Sequence, residues 1–184
     1  MIAIWVLLAL LILVLLVFIF LYNSLVSRRV QCQEAFAQID VQLKRRYDLI
    51  PNLVETVRGY AAHEKDTLER VINARNAAVA AKSVPERAEA ENMLSGALRQ
   101  IFALSESYPA LKANQNFAML QAEIAQTENL IASSRQQYNS VVAEYNTAVE
   151  QFPAKIVAEM FAFKKQAFFE MEDPAQREAP KVQF

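Results

Sequence analysis

The sequence predicts an all-α protein: one N-terminal transmembrane helix followed by an antiparallel helical bundle. The bundle has three long helices, the first kinked or broken at Pro51, plus a C-terminal helical segment. Three observations predict this. Residues 2–22 carry no charge, no Gly and no Pro. Only two glycines occur in 184 residues, the composition of long helices with short connections. Beyond residue 22, apolar residues recur at steps of three and four, with no convincing strand alternation.

The apolar stretch IAIWVLLALLILVLLVFIFLY rises about 32 Å as a helix, against a hydrocarbon core of roughly 30 Å. The competing reading is a cleaved signal peptide, which has a basic n-region, a short apolar core and a small-residue cleavage site. Here the basic n-region is missing, the apolar run is too long, and YNSLVSRR has no A-x-A pattern. The expectation is an uncleaved anchor at 2–22. Trp5 and Tyr22 stand near its two ends, where amphipathic rings favour the interface. Arg28 and Arg29 are the side-chain charges nearest the span, so the positive-inside rule retains them on the cytoplasmic side. The predicted topology is single-pass in a bacterial inner membrane, with the N-terminus outside. Residues 23–169 then form a cytoplasmic helical bundle and 170–184 a polar tail.

All of the chain's charges lie beyond the anchor, 20 acidic against 19 basic. That balance argues against a nucleic-acid partner, which would require a strongly basic face. A single cysteine, Cys32, excludes an internal disulfide. It lies on an apolar stripe and reads as a small buried hydrophobe.

The first stripe steps Cys32, Phe36, Ile39, Leu43, then Ile50, Leu53, Val57, Tyr60, then Leu68 and Val71. It keeps one face across Pro51, which favours a kink over a reversal and predicts one helix from the membrane to about residue 81. Ser83-Val84-Pro85-Glu86 has capping-box spacing with Pro in the first turn, so a second helix should start there. Its stripe reads Ala90, Leu94, Ala97, Ile101, Leu104, Tyr108. Pro109 restarts the chain. In the third helix Phe117, Leu120, Ile124, Thr127, Ile131, Ser134, Tyr138, Val141, Tyr145, Ala148 and Phe152 keep a seven-residue repeat. Such a 3.5-residue period implies coiled-coil-like packing. Short loops make neighbouring helices antiparallel.

From Phe152 onward the chain holds six of its eleven Phe residues, interleaved with Lys155, Lys164 and Lys165. One reading is a last helix and an extended strap on the bundle. The other is an amphipathic segment on the inner membrane surface, with Lys155, Phe161, Phe163, Lys164, Lys165, Phe168 and Phe169 as its contacts.

Catalytic patterns are sparse. His63-Glu64 begins like a zinc-protease motif, but His63 is the chain's one histidine. Gly59 and Gly96 are isolated, so no phosphate loop exists. No cofactor is expected, and the protein is expected not to be an enzyme. The informative polar residues interrupt apolar faces: Lys44, Arg45, Arg46 and Asp48 before Pro51, then Asn52, Asn73, Arg75, Glu128, Asn129, Arg135, Asn139 and Asn146. Arg135 follows Glu128 by seven residues, so both can face one neighbour. They read either as a paired structural network or as a partner site.

Three segments carry a family resemblance: RRYDLIPNLVETVRGYAAHE (Arg45–Glu64), YPALKANQNFAMLQAEIAQTENLIASSRQQYN (Tyr108–Asn139) and YNTAVEQFP (Tyr145–Pro153). They resemble the signatures of the LemA family. The resemblance implies a helical-bundle cytoplasmic domain on one transmembrane helix and no known catalysis. It also implies a possible membrane-protease partner, since some members are linked to a neighbouring membrane metalloprotease, and relatives occur in magnetosome formation. The chain departs from the pattern at 161–163, where FAF replaces the usual FGF. That leaves open whether a glycine-type turn occurs there.

The expected function is a membrane-anchored, non-enzymatic oligomeric scaffold contacting membrane lipid and other copies of itself. The alternatives are an adaptor or regulator of a membrane protease or envelope-stress system, and a membrane-shaping protein using its Phe/Lys segment.

Overall fold

A computed structural model of the chain describes residues 1–169. Among these, six helices and no strand occur: α1 Ile2–Arg58, α2 Lys65–Ala80, α3 Val84–Ser105, α4 Pro109–Lys112, α5 Gln115–Glu150 and α6 Ala154–Met160. The predicted C-terminal tail at 170–184 lies outside the described residues. The all-α expectation holds, with one long apolar N-terminal helix.

The boundary expected at residue 22 falls inside α1, which runs through Asn23 and Ser24 without interruption. Pro51 also lies inside it. The expected first helix to residue 81 is corrected. α1 ends at Arg58, and a turn closed by the Tyr60 and Ala61 amides on the Val57 carbonyl (3.0 and 2.8 Å) separates it from α2. Periodicity hid this turn for a physical reason. Val57 before it and Ala61 within it, and Leu68 and Val71 after it, all enter one core. The stripe therefore keeps its phase while the chain changes direction. Tyr60, expected on the stripe, is exposed.

α3 starts as the capping box requires. The Ser83 hydroxyl accepts from the Glu86 amide, and the Glu86 carboxylate accepts from the amides of Lys82 (3.1 Å) and Ser83 (3.3 Å). Those amides, Lys82's first, hold the Glu86 carboxyl below the usual glutamate range. A depressed folded value means the box supports folding above the ordinary glutamate range and loses that support as pH falls through the folded value. Ser83→Ala should cost about 1 kcal/mol in denaturant unfolding at neutral pH. Glu86→Gln should flatten the acid side of the stability profile, and an unchanged profile would contradict this assignment.

The chain forms two compact units, 1–40 with 133–167, and 41–132 with the described residues 168 and 169. In the first, α1 and α5 run antiparallel. Phe36 meets Tyr138 edge-on with centroids 5.6 Å apart, and Arg28 pairs with Glu144 at 3.4 Å. Leu25, Cys32, Ala35 and Ile39 are buried on α1, and Tyr138, Val142, Tyr145 and Val149 on α5. The second unit has a continuous core of α1, α2, α3 and α5 residues, including Ile50, Val57, Val71, Leu94, Ile101 and Phe117.

The α5 repeat shifts along its length. Phe117, Ile124, Ile131, Tyr138 and Tyr145 are buried as expected, but Val142 and Val149 replace Val141 and Ala148 as the buried partners. Phe152 is 83% exposed. A helix of 3.6 residues per turn drifts by about 20° per heptad, and over 36 residues that drift moves one ridge on by a residue.

Candidate functional site

The second unit centres on a buried cation. Arg46 sits on the same α1 face as Leu43, Ile50 and Leu53 and is fully buried. It pairs with Glu91 of α3, itself fully buried, and its Nη1 donates to Glu128 of α5 at 2.5 Å. Ser95 bridges the pair, accepting from Arg46 at 3.1 Å and donating to Glu128 at 2.6 Å. The Tyr47 hydroxyl donates to Glu91 as well. Two carboxylates thus face one guanidinium, whose planar fork suits carboxylate pairing. Glu128 keeps 43% of its side chain exposed, so the cluster reaches the surface there.

Arg75 of α2 completes the arrangement in an unforeseen way. Proline has no amide hydrogen, so Pro51 cannot bond the carbonyl four residues before it. That carbonyl is Tyr47's, and the Arg75 Nε donates to it at 2.9 Å. Two residues singled out separately by sequence are one device: the proline frees an acceptor and the arginine takes it. Arg75→Met should cost about 1.5–3 kcal/mol, the range for a charged hydrogen bond. In a Pro51→Ala background the cost should be smaller, because the restored amide can serve Tyr47. Equal costs in both backgrounds, by denaturant unfolding, would refute the coupling.

The other sequence-selected residues scatter. Arg45, Asn52, Asn73 and Asn129 are exposed, and Asp48 pairs with Lys44 at 2.9 Å on the surface. Asn52 lines an open groove of about 530 Å³ in the second unit, together with Leu49, Glu55, Met119 and Glu123. Glu128 and Arg135 fall in different units. Arg135 is 7% exposed and Asn139 half-buried.

Glu91 and Ser95 were missed. The stripe predicted for α3 runs through Ala90, Leu94 and Ala97, yet a second ridge of Ala88, Glu91, Leu98 and Ser105 is equally buried. Its polar members disguised it. The usable signal was an acid placed between two apolar positions at helical spacing.

The first unit uses polar groups to hold a strap. After α6, residues 163–167 run without helix. The Asn146 side chain clasps Gln166, donating to its carbonyl at 2.9 Å and accepting from its amide at 2.8 Å. The Tyr145 hydroxyl donates to the Lys164 carbonyl at 3.0 Å, and Tyr138 to that of Ala167 at 2.9 Å. Burial pushes both phenols up, and burial does the same to the Cys32 thiol. Lys165 pairs with Glu150 at 2.5 Å and Lys155 with Glu159 at 3.8 Å. Phe163 is buried against Tyr22 (centroids 5.8 Å), with Arg29 5.0 Å above its ring. Phe169 is buried and Phe168 is 42% exposed. Trp5 is exposed on α1.

The strap begins with a left-handed residue. Ala162 has φ 54°, where an L side chain costs roughly 1–2 kcal/mol relative to Gly. The glycine-type turn therefore forms even with alanine. Ala162→Gly should raise stability by about 1 kcal/mol, read as a higher unfolding midpoint. A lowered midpoint would contradict it.

Among the described residues, no three His, Cys, Asp or Glu side chains are grouped to hold a metal. The family model described as the LemA family matches residues 35–184. The chain belongs to the LemA family. It is similar to the Magnetosome protein MamQ of Magnetospirillum gryphiswaldense, 25% identical over 84% of this chain and 66% of the relative. Magnetosome protein MamQ 2 of Paramagnetospirillum magneticum is 23% identical with the same coverage. Protein LemA of Metamycoplasma hominis is 26% identical over 84% of this chain and 73% of its own length. The chain thus spans 66% of the length of these MamQ relatives. This LemA-family chain is membrane-associated, its α1 beginning with a stretch long and apolar enough to cross a bilayer.

Proposed function

We propose that this LemA-family protein is a non-enzymatic, oligomeric scaffold anchored by residues 2–22, with the rest of the chain in the cytoplasm of a bacterial cell and the anchor in its inner membrane. The observation that carries the reading is the Arg46 cluster. Its ionisable groups are matched to one another across α1, α3 and α5, so they hold helices in register, the best-attested role of buried charge. Arg28 and Arg29 beside the span support the topology. Light scattering of the detergent-solubilised full chain after size exclusion tests assembly. More than one copy per particle is expected, and a monomer at every concentration sinks the scaffold.

The second reading is an adaptor for a membrane protease or another envelope component. The groove beside Asn52, with exposed Met119 at its edge, favours it. Crosslinking in native membranes decides between them, since an adaptor should yield a reproducible partner other than itself.

A further inference from the structure

The turn between α5 and α6, with the α6 face that follows it, stands level with the end of the membrane span. Arg28 of α1 meets Glu144 of the antiparallel α5. Six residues back along α1 lies Tyr22, and six residues on along α5 lies Glu150, each about 9 Å away along its axis. A second contact fixes the same level independently. The Phe161 ring lies 4.8 Å from that of Tyr22 and 5.9 Å from that of Phe18, centroid to centroid, and Phe18 belongs to the apolar span.

What the chain places there is apolar and uncovered. Ile156 and Met160 are four residues apart in α6 and so share one of its faces, and Phe152 stands in the turn just before that helix. Phe152, Ile156 and Met160 are 83%, 51% and 66% exposed, and Phe161 beside them is 49% exposed. Four large apolar side chains left uncovered in water are costly in proportion to their exposed area. Val17, Ile19 and Phe20 of the span are exposed in the same way. The patch is therefore continuous with a surface that already needs lipid. Basic groups lie close by in the chain: Arg28 and Arg29 on α1 just beyond the span, Lys155 in α6, and Lys164 and Lys165 in the strap that follows it. Glu144, Glu150 and Glu159 offset some of that charge.

The geometry points to a second membrane contact: Phe152, Ile156, Met160 and Phe161 insert into the interface of the leaflet that α1 enters, with the bilayer itself as occupant. This rests on the reading of residues 2–22 as an anchor. It also differs from the contact set read from sequence, because Phe163 and Phe169 are buried in the protein. The anchor and this face together hold the membrane-proximal unit at two points, which fixes its tilt against the surface.

Two methionines make the wild-type chain its own test. Met160 and Met119 are almost equally exposed, 66% and 63%. Hydroxyl-radical footprinting of the full chain in phosphatidylcholine–phosphatidylglycerol vesicles should oxidise Met119 several-fold faster than Met160. Equal rates would overturn the proposal. Protection by protein is separated from protection by lipid with Met160→Trp in a Trp5→Phe chain. A lipid nitroxide near the acyl head group should quench its emission strongly and aqueous iodide weakly. Quenching by neither means that another copy of the chain covers the face, which also overturns the proposal. Ile12→Trp in the same background reports on the anchor. If deep lipid nitroxides quench it while Met160 is oxidised freely, the anchor stands and the second contact fails. If iodide quenches it, both fail.

Discussion

Arg46→Ala should lower the unfolding free energy by about 3–5 kcal/mol, the cost of leaving a buried charge without its partner. The stranded group is Glu91, fully enclosed and facing both Arg46 and the Tyr47 hydroxyl. Removing Glu128 instead should cost less, because its side chain is 43% exposed and Arg46 would keep Glu91. The same physics predicts a rescue. Replacing both charges with apolar residues of similar size is often neutral or stabilising, so Arg46→Met with Glu91→Leu should recover most of the loss. Chemical denaturation of the detergent-solubilised wild type, Arg46→Met, Glu91→Leu and the double variant closes a double-mutant cycle. Additive losses would show that the pair is not a pair. The rescued chain also tests the scaffold reading. If the buried charges set helix register, it should keep its stability but lose a single assembly state in light scattering.

The helices were legible because burial imposes periodicity on the chain whatever the partner. The α3 start was legible too, since Ser83 and Glu86 form a local device whose geometry depends on four consecutive residues. What sequence concealed has one cause in each case. The α1–α2 turn was hidden because Val57 and Leu68 share a core, and a stripe reports the face without the chain's direction. Glu91 was hidden because its meaning depends on Arg46, 45 positions earlier. Sequence marks Pro51 and Arg75 separately, because the object linking them is a backbone carbonyl at Tyr47. Family resemblance marked 161–163 as a place for glycine, and the backbone there does turn left-handed at Ala162. Local devices and faces can be read from sequence; pairings between distant positions cannot.

Asn146→Ala carries the second large effect, a loss of about 2 kcal/mol concentrated on the strap. The amide side chain satisfies both the carbonyl and the amide of Gln166, and each buried group left unmatched costs about 1–3 kcal/mol. Asn146 is half-buried, so water recovers part of that. Asn146→Asp keeps the acceptor and loses the donor, and should fall between alanine and wild type. Tyr145→Phe and Tyr138→Phe each remove one bond to a strap carbonyl, about 1 kcal/mol apiece. Burial raises both phenols, so their protonated, donating form is favoured in the folded chain. That support is fully present below the ordinary tyrosine value of about 10 and is lost as pH rises through the folded values. Hydrogen exchange at the Gln166 amide is the direct readout. It should accelerate in Asn146→Ala far more than amides of the second unit do, and an unchanged Gln166 rate would refute the clasp. The strap also carries Phe163 to Tyr22 and Arg29. Its release should therefore loosen the membrane-proximal end of α1 while leaving the Arg46 cluster intact.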